Sequence, residues 1–242
     1  MNMVKSQTEQ NPSISIKLAH EHYLDRWLGL YEFDEYKQWL FRKVVIPIIK
    51  KHVPRGIVLE IGCSKGYLLK ELEEHGYEAI GIDISSSAIR HSRSLDCGHS
   101  LNVIRADGEN PPITKESTHA ILAINTLEHL PNPETVIQAS HRVLKSQGLF
   151  LAITPNKDSA LAKIAKRIVP YTALKNPYHV SLMNREILIG YIKEADFKYA
   201  KVTPFHNGFF GSPLLRNFGG FIPLSYQVIA PHLHHLIAVA IK

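Results

Sequence analysis

Two sets of side chains in this sequence could do chemistry. The first is a series of acids, each set in or just after a short apolar run. Glu60 lies in Ile57-Val-Leu-Glu-Ile61, Asp83 ends Glu78-Ala-Ile-Gly-Ile-Asp83, and Asp107 follows Leu101-Asn-Val-Ile-Arg105. The second is a pair of histidines, His129 and His179, in stretches that read as loops. A carboxylate at a strand end can accept hydrogen bonds from both hydroxyls of a ribose. Histidine titrates near neutral pH and can take a proton from a reacting group. Plainer roles exist for each: a helix cap for Asp83, a turn residue before Gly108 for Asp107, loop packing for the histidines.

The turn after the first run narrows the choice. Gly62-Cys-Ser-Lys-Gly66 joins the run to Tyr67-Leu-Leu-Lys-Glu-Leu-Glu-Glu-His75, which has helical periodicity. A buried strand that feeds a glycine turn and a helix start is suited to a ligand, because the first helical N–H groups lack partners. The dinucleotide pattern G-x-G-x-x-G needs a third glycine, and Cys63-Ser-Lys65 holds none. A Walker loop would end Gly-Lys-Ser/Thr, but Gly66 is followed by Tyr67. Asp83 follows Gly62 by 21 positions. That is close to the ~20 expected of an acid that reaches a nucleotide ribose.

The run Glu60-x-Gly62-x-Ser64-x-Gly66 resembles motif I of the class I S-adenosylmethionine (SAM)-dependent methyltransferases, with Ser64 where a middle glycine is common. The resemblance extends over Ile57 to Asn156. Asn125-Thr-Leu-Glu-His-Leu-Pro-Asn-Pro133 is similar to the segment after strand four in the small-molecule, methyltransferase type 11 and ubiquinone-methyltransferase-like branch. The resemblance implies an α/β, Rossmann-like, doubly wound sheet of seven strands, mostly parallel with an antiparallel last strand, preceded by a helical segment. It implies SAM as cofactor. The methionine part would lie at Gly62, Cys63, Ser64 and Gly66, the ribose at Asp83 beside Ile84, and the adenine at Asp107 and Gly108. Glu60 would order the glycine loop or meet the ammonium through water, and Asn125 would complete the crevice.

The remaining elements must position these groups. Residues 1–15 are polar and are expected to form a disordered lead. Residues 16–242 then make one methyltransferase domain. Two helices are expected within residues 16–52, the second running from Asp34 to about His52 with a kink at Pro47. The SAM-binding core takes residues 57–156, with helices from Tyr67, from Ser86 to Cys97, and from Pro133 to Leu144, and later strands at 101–105, 119–125 and 149–154. Residues 157–183 and 204–231 are expected substrate-side insertions. The first includes a basic amphipathic helix over Asp158–Val169, and the second is rich in Phe, Gly and Pro. A helix from about Asn184 to Glu194 and strands at 199–203 and 236–241 close the chain.

Composition sets bounds on function. At 242 residues with 45% hydrophobic content, one full core is expected. Cys63 and Cys97 give no disulfide framework and suggest a reducing, cytoplasmic setting. The net charge of +6 is uneven, because residues 151–242 carry 11 Lys and Arg against 4 Asp and Glu. That third could face solvent, an anionic acceptor or a membrane surface. No nucleic-acid motif accompanies it.

The reaction expected is methyl transfer from SAM to a small-molecule, lipid or glycan-linked acceptor at oxygen, nitrogen or carbon. His129 and His179 are the candidate bases. A non-catalytic SAM-binding scaffold is the alternative, and a nicotinamide dehydrogenase a weaker competitor. Ubiquinone-type enzymes carry a divalent-metal motif, Glu-x-x-Glu-His, after strand four. Here its first acid is replaced by Asn125, ahead of Glu128 and His129. No metal is therefore expected, and His232, His234 and His235 lack the acids or cysteines that would suggest one.

Overall fold

The computed structural model describes residues 35–95, 97–159, 176, 178–205 and 235–242. The expected disordered lead, the helix expected within residues 16–30, most of that expected at Asp158–Val169, and nearly all of the 204–231 insertion lie outside these residues.

The first helical stretch has three parts: α1 (Glu35–Leu40), a π-helical turn (Phe41–Val45) and α2 (Ile46–His52). The expected kink thus takes the form of a register change. Pro47 has no N–H to offer the residue four before it, and just upstream the Ile46 N–H reaches back five residues to the Phe41 carbonyl. Arg42, in that turn, grips Glu71 with two nitrogens: Nε lies 2.9 Å from both carboxylate oxygens and Nη2 lies 2.7 Å from Oε1. This fork ties the N-terminal helices to the helix that follows the glycine turn.

Next come β1 (Ile57–Ile61), α3 (Tyr67–Glu74), β2 (Glu78–Asp83), α4 (Ser86–Arg93), β3 (Asn102–Arg105) and β4 (Thr118–Ile124). They are followed by α5 (Pro133–Val143), β5 (Leu144–Pro155), α6 (Arg185–Glu194), β6 (Tyr199–Phe205) and β7 (His235–Ile241). The seven strands form one sheet in the order β3-β2-β1-β4-β5-β7-β6. Pairs from β3 to β5 are parallel, and β7 is antiparallel to both of its neighbours. Strand order reverses between β1 and β4, which makes the crevice beyond their C-terminal ends the topological switch point.

Alternation along each strand builds a core on both faces. Val58, Leu149, Leu151 and Ile153 pack on the face of α1, α2 and α3, whereas Leu59, Ile61, Phe150 and Ala152 pack on the face of α5 and α6. Ala120 to Ala123 are all buried, as a central parallel strand requires. Helix caps follow local chemistry. The Ser85 hydroxyl accepts from the Ala88 N–H, and the Asn184 side chain accepts from the Ile187 N–H. Gly76, at φ 83°, follows the last turn of α3.

Three boundaries differ from the expectation by two residues or more. Helix α4 stops at Arg93 rather than Cys97, where the Ser94 N–H turns back to the His91 carbonyl and its hydroxyl donates to the same oxygen. Strand β5 begins at Leu144 rather than Leu149. Its partners on β4 jump from Thr118↔Leu144 to Ala120↔Leu149, so Ser146-Gln-Gly148 forms a bulge within the strand, with Gln147 at φ 61°. Strand β6 runs two residues past Thr203 and includes Pro204, which an edge strand tolerates.

Candidate active site

The glycine turn is held by β2. The N–H groups of Gly62 and Cys63 both donate to the Ile82 carbonyl, at 2.8 and 3.1 Å. Gly62, Ser64 and Gly66 all have positive φ: 76°, 48° and 80°. Serine is thus accommodated in a left-handed position beside two glycines, which carry no Cβ penalty there. A Cβ on Gly62 would lie 2.5 Å from Thr126 Oγ1, and one on Gly66 would lie 2.8 Å from a Leu101 methyl. The absent side chains therefore make room for the protein itself. Thr126 closes that contact by donating to the Ile61 carbonyl at 3.0 Å. In the middle of β2, Gly81 leaves the space that the Cys63 and Leu69 side chains fill. A glycine inside a strand was the signal for that close approach.

Asp83 is buried, and its two oxygens divide their work. Oδ2 accepts the Ser64 N–H at 2.9 Å and Oδ1 accepts the Ser85 N–H at 2.9 Å. The carboxylate therefore bridges the glycine turn to the start of α4. Glu60 lies close by, nine-tenths or more buried, and its Oε2 has no hydrogen-bond partner among the described residues. Burial, and then the Asp83 charge, push its carboxyl up to about 8. The same two influences hold the buried Cys63 thiol well above its ordinary range, so it is not a nucleophile at neutral pH.

The end of β3 is tied to the same edge. Asp83 pairs with Arg105, and the Ala106 N–H donates to the Asp83 carbonyl at 3.0 Å. Arg105 Nε donates to the Ile84 carbonyl at 2.9 Å. Asp107 Oδ1 accepts the Glu109 N–H at 3.0 Å, which gives it the local turn role. Gly108 passes so close over β1 that a Cβ would lie 2.7 Å from Ile61. Glu109, not singled out from the sequence, accepts both the Asn132 N–H and its side-chain amide and so anchors the approach to α5. Glu60, the turn, Asp83, Ile84, Asp107 and Gly108 thus gather at one end of three adjacent strands.

Asn125 leaves β4 at φ 51°, a left-handed conformation that asparagine tolerates better than most residues. Its N–H donates to the Ile153 carbonyl at 2.7 Å, whereas its buried Oδ1 has no partner among the described residues. One 3₁₀ turn later (Leu127–His129), Glu128 is 1% exposed and accepts the Thr154 hydroxyl at 3.0 Å. Burial pushes its carboxyl up to about 7 against the pull of its own N–H and of Thr154. His129 Nδ1 lies 3.1 Å from the Tyr178 carbonyl, and its ring meets that of His179 edge-on with centroids 4.7 Å apart. The Ser181 N–H donates to the Glu128 carbonyl at 3.1 Å, which pins the second segment to the first. The two histidines, 50 residues apart in the chain, are therefore neighbours. Neither Glu128's burial nor Thr154's role was legible from spacing.

Residues 33–202 match the model of a methyltransferase-domain family. The chain belongs to the class I SAM-dependent methyltransferases. An uncharacterized protein of Methanocaldococcus jannaschii is 29% identical over 77% of this chain and 82% of its own length. A ubiquinone biosynthesis O-methyltransferase of Colwellia psychrerythraea is 26% identical over 62% of this chain, and the match covers 63% of that enzyme. A solved SAM-dependent methyltransferase of Thermotoga maritima superposes with a TM-score of 0.63 at 18% identity, covering 91% of this chain and 99% of that one. The enzyme is accordingly SAM-dependent. Its residues fit the cofactor, because among the described residues the crevice offers buried acceptors without a partner on Glu60 and Asn125. Among the described residues, no helix is long and apolar enough to cross a membrane.

Proposed function

We propose that this methyltransferase acts on a hydroxyl or amine of a small-molecule, lipid or glycan-linked acceptor, with the cofactor and acceptor held by different parts of one sheet edge. The observation that carries this reading is the separation of the two sets of groups. Glu60 and Asp83 lie at the C-terminal ends of β1 and β2 and Asp107 just after β3, and Glu128, His129 and His179 gather beyond β4 and β5.

In this reading Asp83 accepts from the ribose hydroxyls, and Asp107 and Gly108 meet the adenine. The first turn of α3 has no side-chain cap and receives the carboxylate of the methionine part. Glu60 and Asn125 offer acceptors to its ammonium. Bound SAM supplies a methyl group on a good leaving group, so the protein's main task is alignment. An acceptor hydroxyl or ammonium must also lose a proton, and that work falls to the histidine pair. The contact of His129 Nδ1 with a backbone carbonyl makes Nδ1 the protonated nitrogen and leaves Nε2 as the basic one. The Colwellia relative's name, an O-methyltransferase, favours oxygen.

Incubation with methyl-labelled SAM and a cell extract, followed by separation of lipid, glycan, protein and small-molecule pools, tests the acceptor class. Label is expected in one non-protein pool and lost with His129→Ala. Label only in protein would overturn the proposed acceptor. Tight SAM binding with no label in any pool would favour a scaffold.

A further inference from the structure

We propose that Glu128, His129 and His179 form a binding site for one divalent transition-metal ion. The resemblance to ubiquinone-type enzymes argues against a metal, because Asn125 replaces the first acid of their motif. The folded chain supplies a different third donor. One ligand atom from each of Glu128, His129 and His179 lies within 4.8 Å of the others. His179 comes from a segment that the sequence does not link to the motif, and the Ser181–Glu128 and Tyr178–His129 contacts bring it there.

Two further contacts have the form of a second coordination shell. A metal-binding histidine is usually oriented by donating its other ring N–H to a carbonyl, as His129 Nδ1 can do to Tyr178. A metal-binding carboxylate is usually hydrogen-bonded as well, as Glu128 is by Thr154. Glu128 is 1% exposed, and a cation is a natural counterpart for a carboxylate so deeply buried. Two imidazoles and one carboxylate suit zinc, cobalt or iron rather than magnesium or calcium, which prefer all-oxygen sets. Three protein ligands leave coordination positions open.

Binding of the ion is independent of the methyl-transfer reading; only its role depends on that reading. There the two histidines would act as ligands, and the ion would ease loss of the acceptor's proton by lowering the acceptor's pKa.

The test uses the full chain without a polyhistidine tag, stripped with a chelator and titrated with Co²⁺ while visible absorption is followed, with Zn²⁺ as competitor. One equivalent is expected, with d–d bands that zinc abolishes. His129→Ala and His179→Ala should each weaken binding about a hundredfold or more, and Thr154→Val by about tenfold. His234→Ala should leave it unchanged. Absence of a stoichiometric site, unchanged affinity in His179→Ala, or loss of the site in His234→Ala would overturn the proposal. SAM calorimetry on the same samples shows that the fold is intact. If His179→Ala loses SAM binding too, His179→Asn and Thr154→Val decide, and unchanged cobalt affinity in both sinks the site. A metal site in a protein that binds no SAM would overturn the methyl-transfer reading alone. SAM binding with no metal site would overturn this inference alone.

Discussion

The two halves of the crevice are built by different means. The half proposed for the cofactor uses contacts within turns or between neighbouring strands: Asp83 bonds Ser85 and Asp107 bonds Glu109 two residues on, and Asp83 reaches Ser64 across 19. The half proposed for the acceptor uses contacts of longer range: Thr154 reaches Glu128 across 26 residues and Tyr178 meets His129 across 49. A half made of local turns can be read residue by residue. A half made of contacts between distant loops exists only after the chain has closed on itself. The same division implies that the two halves can be damaged separately.

The largest effect expected is on turnover. His129→Ala should lower methyl transfer by about 10²–10⁴-fold while leaving the SAM dissociation constant within about twofold, a difference of only a few tenths of a kcal/mol. Single-turnover kinetics beside calorimetry check this, and a matching loss of SAM affinity would erase the division. Asp83→Ala should do the reverse. It removes the carboxylate from two backbone donors and from the ribose it is proposed to hold, a loss of about 1.5–3 kcal/mol for each charged hydrogen bond, and should weaken SAM binding by about a hundredfold or more.

A smaller effect tests the packing between the halves. Gly62→Ala places a Cβ where Thr126 now sits and at φ 76°, so a loss of about 1–3 kcal/mol is expected in denaturant unfolding. Thr126→Ala should relieve part of it. Additive losses in the double variant would show that Thr126 is not the obstacle.

The smallest effect is on the pH dependence of stability without SAM. The carboxyls of Glu60 and Glu128 are raised to about 8 and about 7 when folded, above their unfolded values. The folded chain therefore holds more protons than the unfolded chain across this window. Stability contributed by these groups falls as pH rises from about 4 toward their folded values. Glu60→Gln and Glu128→Gln should each flatten the decline in melting temperature between pH 5 and 8.5, which thermal scans can check. A wild-type slope unchanged in both variants would assign the decline to other groups.

The glycine turn and the acids of β1 to β3 were legible because their signals are local. Glycines, acids and apolar runs recur at strand spacing, and each loop follows its own strand. Thr126 escaped notice because a threonine after a strand has no distinctive pattern, although its hydroxyl holds the end of β1. The start of β5 was misread because Gln147-Gly148 has turn chemistry, which the strand absorbs as a bulge. His129 and His179 were both recognised as candidates, but nothing in their spacing showed that they meet.

The sequence by itself determined the sheet's parallel half, its glycine turn and its acids, because period, turn chemistry and caps act within a few residues. Only the tertiary structure decided what gathers beyond β4 and β5, a buried Glu128 and a histidine pair, and what seats against Gly62, a threonine. Burial and proximity across 50 residues are properties of the closed chain, and no local pattern of residue types encodes them.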